Sequence, residues 1–222
     1  MGIIARNVGK VIGNPGVRIL GSISLEIASG DFVALTGRSG SGKSSLLYIL
    51  STLDYATEGS VEIDGIDVST MGAGEVSRVR NEKVGFVFQF HYLLAELTAL
   101  ENVLMPARRT GRSAELEGYA RELLAGFGLA GLEDRLPRQL SGGEQQRLAI
   151  ARALVMKPRY LFADEPTGSL DSVSSENVMN IIRRSNRELG TTVVMVTHDP
   201  GYAAWAQRRV HLVDGMIAPT PV

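Results

Sequence analysis

Short, dense apolar runs alternate along this chain with longer polar stretches that carry apolar residues at helical spacing. The runs at 32–36, 84–88, 160–163 and 191–197 have the length and branched or aromatic content of strands buried on both faces. Residues 22–27 alternate in polarity instead, which predicts a strand with one wet face. A further strand at 2–8 and a turn at 29–31 make the first 36 residues β-rich. Residues 60–63 and 66–68 flank Asp64-Gly65 and predict a hairpin, and residues 209–213 with Asp214-Gly215 close the chain. Helices are predicted at 44–50, through much of 98–157 and at 172–189. Thr98 with Glu101, and Ser141 with Glu144, fit the S/T-x-x-E capping box inside the middle block. Strands alternating with helices imply a largely parallel sheet with functional residues at its carboxyl edge. The expected organisation is one domain over residues 1–222, an α/β core with a β-rich portion at its start and a helical subdomain inserted at about 95–157.

Between the strand at 32–36 and the helix at 44–50 stand Gly37, Arg38, Ser39, Gly40, Ser41, Gly42, Lys43 and Ser44, an uninterrupted G-x-x-x-x-G-K-[ST]. Average residue frequencies give such a match by chance in about one chain in a hundred of this length. The strand before it and the helix after it are the context a phosphate loop requires. Glycines let successive N–H groups turn inward onto phosphate oxygens, and the helix adds its positive end. Lys43 can then reach the β- and γ-phosphates of a nucleoside triphosphate, and the Ser44 hydroxyl can ligate Mg²⁺.

Composition narrows the setting. The chain has 222 residues, a net charge of -1 and no cysteine, which excludes disulfides, thiolate metal sites and a cysteine nucleophile. No global field recruits nucleic acid or anionic lipid. Nowhere do 18 apolar residues run together, and the N-terminus lacks the pattern of a secretory signal, so a cytoplasmic chain without direct membrane insertion is expected.

Two more stretches bear on phosphate chemistry. The apolar run at 160–163 ends in Asp164 and Glu165. Two carboxylates at a strand end need compensation, which Mg²⁺ on a triphosphate would supply. Asp164 would hold the metal and Glu165 would orient or deprotonate the attacking water. The competing reading is an acidic cap on the next helix, with Pro166 at its start. Ser141, Gly142 and Gly143 open a second helix and make a second anion site. One nucleotide already has its loop, so the spare site points to two chains face to face, each lending this helix end to the other's γ-phosphate; a merely well-capped helix is the alternative.

Residues 140–145, Leu-Ser-Gly-Gly-Glu-Gln, resemble the signature motif of the ATP-binding-cassette (ABC) ATPases, and further family motifs follow in family order over essentially the whole chain. The resemblance implies a P-loop NTPase (RecA-like) core with an N-terminal antiparallel β subdomain and an inserted α-helical subdomain. It implies ATP and Mg²⁺ as ligands, with Ser45 joining the phosphate loop, Gln89 as the Q-loop residue at nucleotide and metal, and Asp171 in the D-loop. It makes Asp164 the Walker B aspartate, Glu165 the catalytic glutamate and His198 the switch histidine at the γ-phosphate. His91 and His211 match no motif and are read as structural or surface residues.

Within the family, residues 86–106 and 167–172 are most similar to the lipoprotein-release and macrolide-export branch, with Ser169 where asparagine is more usual. That branch implies a homodimer of ATPase subunits, peripheral on the cytoplasmic face of the inner membrane, with a separately encoded permease docking near residues 89–106. The apolar Phe90, Tyr92, Leu93, Leu94 and Leu97 would then divide between subdomain core and docking surface. The alternative is a force-transmitting regulatory ATPase acting on a cell-envelope hydrolase. A nucleic-acid or ribosome-associated ABC protein is disfavoured by the absence of a coiled-coil insert, a tandem cassette and a basic face. One departure stands out: the family stacks adenine on an aromatic near Val11 or Ile12, and no aromatic precedes Phe32, so weaker, less base-selective binding is expected.

Overall fold

The computed structural model describes residues 1–219. Two sheets share the chain. The first is antiparallel, with β1 (Gly2–Ile12) between β2 (Val17–Ala28) and β4 (Glu58–Ile63), and β5 (Ile66–Asp67) outside β4. The hairpin expected around Asp64-Gly65 is this β4–β5 pair. The second sheet contains β3 (Phe32–Thr36), β6 (Val84–Val87), β7 (Tyr160–Asp164), β8 (Thr192–Val196), β9 (Arg208–Val213) and β10 (Met216–Ala218). Its order is β10-β9-β3-β8-β7-β6, parallel throughout except for β10.

Helix α1 (Lys43–Leu50) follows β3, and α2 (Ala73–Lys83) leads into β6. Helices α3 (Ala99–Arg109), α4 (Ser113–Gly126) and α5 (Gly142–Leu154) lie between β6 and β7. Helix α6 (Ser172–Leu189) links β7 to β8, and α7 (Pro200–Ala203) follows β8. The architecture is the α/β core with antiparallel β and helical additions that the sequence implies.

The parallel sheet divides the interior because its central strands β3, β7 and β8 are buried at nearly every position and side chains alternate faces. Leu161, Ala163, Val193 and Met195 point to a core shared with α3, α4, α5 and α6. Their neighbours Tyr160, Phe162, Val194 and Val196 point to a second core, shared with α1 and the antiparallel sheet. A hub of charge ties the elements together at the opposite end from the strands' carboxyl edge. Asp64, in the β4–β5 turn, meets Lys83 Nζ at 2.8 Å, Arg159 at 3.1 Å and the Tyr160 hydroxyl at 2.7 Å. Burial pushes the Asp64 carboxyl up, but the hydrogen bonds from Lys83 and Tyr160 and the charges of Lys83 and Arg159 outweigh it and hold it below its ordinary value.

Candidate functional site

The strand order brings three chemical signals to one edge. β3, β8 and β7 are adjacent, with Leu35 opposite Val196 and Val196 opposite Asp164. The phosphate loop, His198 and the carboxylates therefore leave neighbouring strands at the same level. The loop turns through three glycines of positive φ: 141° at Gly37, 78° at Gly40 and 93° at Gly42. A Cβ at Gly37 would stand 2.2 Å from the Leu212 carbonyl oxygen, so only glycine fits. Lys43 is buried and folds its ammonium over the loop, donating to the Gly37 and Arg38 carbonyls at 3.0 and 2.8 Å.

Ser44 donates its hydroxyl to Asp164 Oδ1 at 3.0 Å. Burial raises the Asp164 carboxyl above its ordinary value, opposed by hydrogen bonds from Tyr48 and Ser44; Glu165 adds to the rise and Lys43 opposes it. Tyr48 lies one helical turn after Ser44, and burial with the Asp164 charge pushes its phenol up to about 12. Glu165 adopts a φ of 45°, in the left-handed region. Its N–H donates to the Val196 carbonyl, and its Oε2 lies 3.2 Å from His198 Nδ1. Pro166 lies in a turn, and the next helix starts only at Ser172 under an Asp171 cap. The reading of the two acids as a helix cap is thereby ruled out. Gln89, two residues past β6, brings its amide near Glu165 over Gly168, where a Cβ would stand 3.2 Å from Gln89 Nε2 and 3.4 Å from Glu165 Oε2.

Gly37, Ser39, Gly40, Gly42, Lys43, Ser44, Ser45, Gln89, Glu165 and His198 line one open cavity of about 630 Å³. Its dense N–H groups, buried ammonium and carboxylate edge fit a triphosphate with a hard cation. Among the described residues no cluster of three or more His, Asp or Glu side chains could hold a metal by itself. The Ser44–Asp164 oxygen pair therefore suits an ion that keeps phosphate and water as its other ligands, as Mg²⁺ does. Ile19 of β2 also lines the cavity, whereas Val11 and Ile12, at the end of β1, do not.

Ser141, Gly142 and Asp171 lie elsewhere on the chain, exposed and outside this cavity. Ser141 caps α5, accepting from the Glu144 N–H at 3.3 Å, while Glu144 accepts from the Ser141 N–H at 2.7 Å. Asp171 caps α6, accepting from the Ser174 N–H at 2.9 Å and from its hydroxyl at 2.7 Å. The two helix starts abut at Gly143, whose absent side chain makes room for Ser174: a Cβ there would stand 2.5 Å from Ser174 Oγ.

After Gln89 the chain is fixed to α5 and α3. Arg152 donates to the His91 and Tyr92 carbonyls at 2.7 and 2.6 Å, and Gln146 donates to the Phe88 carbonyl at 3.4 Å. Fully buried Asn102 holds Leu94, Leu97 and Thr98 by their backbones. Of the apolar residues here, Leu93 packs against the core and Leu97 is half-buried, while Phe90 and Tyr92 are each 64% exposed. His91 is partly buried, which lowers its pKa, and His211 Nδ1 lies 3.1 Å from the Thr36 hydroxyl.

A glycine loop at the end of a parallel strand, with a lysine over it and a serine–aspartate pair beside it, defines a P-loop nucleoside triphosphatase. The particular family is set by the comparisons: residues 20–168 match the ABC transporter family model, and the chain belongs to that family. It is 50% identical to the lipoprotein-releasing system ATP-binding protein LolD of Leptospira interrogans, covering 97% of this chain and 90% of that one. It is also 50% identical to the LolD of Aquifex aeolicus, covering 96% and 94%. Its fold superposes on the dimeric structure of MJ0796, a bacterial ABC transporter cassette, with a TM-score of 0.90 at 42% identity, covering 98% of this chain and 97% of that one. A dimeric post-hydrolysis state of MJ0796 bound to ADP and Pi gives 0.88 at 38% identity, with the same coverage. The chain is an ABC ATPase subunit of the LolD type.

Proposed function

We propose that two copies of this chain enclose two ATP molecules and drive a separately encoded membrane subunit that releases or exports a lipid-anchored or apolar substrate. The observation that carries this reading is the separation, within one chain, of its two anion-binding helix starts. The Lys43 loop opens into the cavity, while Ser141 and Gly142 face solvent beyond it. A second copy supplies Ser141 and Gly143 to the first copy's γ-phosphate, with Asp171 placed alongside because α5 and α6 abut.

In this reading residues 37–45 bind the phosphates and Lys43 leaves the two loop carbonyls for the β- and γ-phosphate oxygens. Ser44, Asp164 and Gln89 would hold Mg²⁺, which supplies charge neutralisation on the phosphates when bound. Glu165 accepts the proton of the attacking water at its carboxylate, and His198, hydrogen-bonded to it, orients that carboxylate and faces the γ-phosphate. The chain works as a single domain over 1–222, with residues 95–157 as the helical subdomain that the permease engages near residues 89–106. Among the described residues no helix is long and apolar enough to cross a membrane, so attachment to the cytoplasmic face of the inner membrane runs through that partner.

Glu165→Gln tests the reading. The variant is expected to bind ATP, to elute as a dimer in its presence, and to lose at least about 10²-fold in hydrolysis. A variant that stays monomeric with ATP and turns over at the wild-type rate would remove Glu165 and the dimer together.

A further inference from the structure

The turn between β9 and β10, Asp214-Gly215, meets the phosphate loop backbone to backbone, although Gly215 lies outside the nucleotide cavity. Gly215 has a φ of 76°, donates its N–H to the Ser41 carbonyl at 3.2 Å and accepts from the Gly21 N–H at 2.9 Å. One residue thereby ties the loop to β2. A Cβ on Gly42 would stand 3.7 Å from the Gly215 Cα and 3.0 Å from the Ile19 carbonyl oxygen, so the two glycines face each other directly. At the end of β9 the Leu212 carbonyl fills the space beside Gly37 in the same way.

A side chain on Gly215 has nowhere to go. Its Cβ would overlap the Ile19 carbonyl oxygen and stand 3.2 Å from the Leu20 Cα. Both neighbours are backbone and cannot take another rotamer, so the turn or β2 must move. If the turn moves, it pulls on the Ser41 carbonyl in the middle of the loop. If β2 moves, it carries Ile19, which lines the nucleotide cavity. Either displacement ends at a group that faces the nucleotide.

The chain contains a matched comparison. Asp64-Gly65 is the same dipeptide between the antiparallel strands β4 and β5, with Gly65 at a φ of 82°. Both glycines occupy the left-handed region that a side chain disfavours. At Gly65, however, a Cβ would have no atom of the described residues within 4 Å.

We propose that Gly215 is a positioning residue for nucleotide binding: its bare Cα lets the β9–β10 turn seat the Ser41 carbonyl and Ile19 together, which sets the phosphate loop for ATP. This rests on the reading of residues 37–45 as the seat of the phosphates. Gly215 acts through the loop and touches no substrate.

The test titrates a fluorescent ATP analogue with Mg²⁺ into the purified full chain and its Gly215→Ala, Gly65→Ala and Lys43→Ala variants, well below their melting temperatures. Both glycine variants should melt earlier than the wild type, because both force a side chain into the left-handed region. Affinity should separate them: Kd is expected to rise at least about tenfold in Gly215→Ala and to stay within about twofold in Gly65→Ala, since sub-ångström displacement is felt at a preorganised site. Gly215→Ala binding as tightly as Gly65→Ala, while Lys43→Ala loses binding, overturns the positioning role alone. Lys43→Ala binding like the wild type overturns the phosphate-loop reading and the proposal with it. If Gly215→Ala does not fold, hydrogen exchange of the wild-type chain decides. ATP with Mg²⁺ should slow exchange of the Gly215 amide at least about threefold and leave the Gly65 amide unchanged; a Gly215 amide indifferent to ATP overturns the proposal.

Discussion

Gly143→Ala isolates the junction that places Ser141 and Asp171 on one face. The new Cβ would stand 2.5 Å from Ser174 Oγ and 2.9 Å from Ser174 Cβ, against an ordinary contact of 3.4 Å, shortfalls of about 0.9 and 0.5 Å. The hydroxyl cannot swing away without leaving the Asp171 carboxylate at 2.7 Å, and the carbon cannot swing at all. The starts of α5 and α6 must therefore separate by about half an ångström or more. Overpacking of this kind costs about 1–3 kcal/mol, which lowers Tm by about 2 to 10 °C in a chain of this size. Displacing groups that meet a transition state by up to 1 Å costs as much as about 10²-fold. Steady-state ATPase, fluorescent-nucleotide binding and thermal melting measure the three consequences. The expected result is kcat down about 10- to 100-fold, nucleotide binding at the Lys43 loop within about twofold, and partial recovery of kcat in Gly143→Ala/Ser174→Gly. A single variant with wild-type kcat, or a double variant with no recovery, would refute the placement of these helix starts as the cause.

Two further outcomes follow from the structure. Asp64→Asn keeps a residue that tolerates the local φ of 55° and removes the charge facing Lys83 and Arg159; denaturant melts should show a loss of about 2–3 kcal/mol at pH 7. Because the folded carboxyl titrates below its ordinary value, the unfolded chain binds the proton first on acidification. The Asp64 contribution is thus complete above about pH 4 and disappears as pH falls through the lower folded value, so the two proteins should converge there; a constant gap down to pH 2 contradicts the charge assignment. GTP should be hydrolysed within about tenfold of ATP, since among the described residues Ile19 is the one large apolar residue lining the nucleotide cavity and it offers no aromatic face for stacking. Rejection of GTP beyond that factor would show a base contact that these residues do not provide.

Much of the site was legible because its chemistry is local. A phosphate loop must stand between strand and helix, and the runs at 160–164 and 192–196 are buried at every position, so their apolar texture announced them. Helix α2 was missed because only Val76 of its eleven residues is buried, which leaves no apolar stripe to read. β1 and β2 run longer than their alternation indicated, since register shifts between Ala5 and Val8 and between Val8 and Lys10 break the period of two. Ile19 reaches the nucleotide cavity only because β2 passes beside Gly42, and no spacing along the chain encodes that approach. Arg152 stands in α5, and no motif in the sequence marks it. Its two carbonyl acceptors lie about sixty residues away in sequence, a relation that only the fold creates.

The split site is tested most directly by mixing two inactive chains. Lys43→Ala spoils the phosphate loop, and Ser141→Arg spoils the opposing helix start; neither alone can form an intact site. If each site draws on both chains, a mixed dimer regains one complete site, and free mixing should restore about a quarter of wild-type ATPase. A mixture no more active than the sum of its parts would place the whole site within a single chain and contradict the face-to-face dimer.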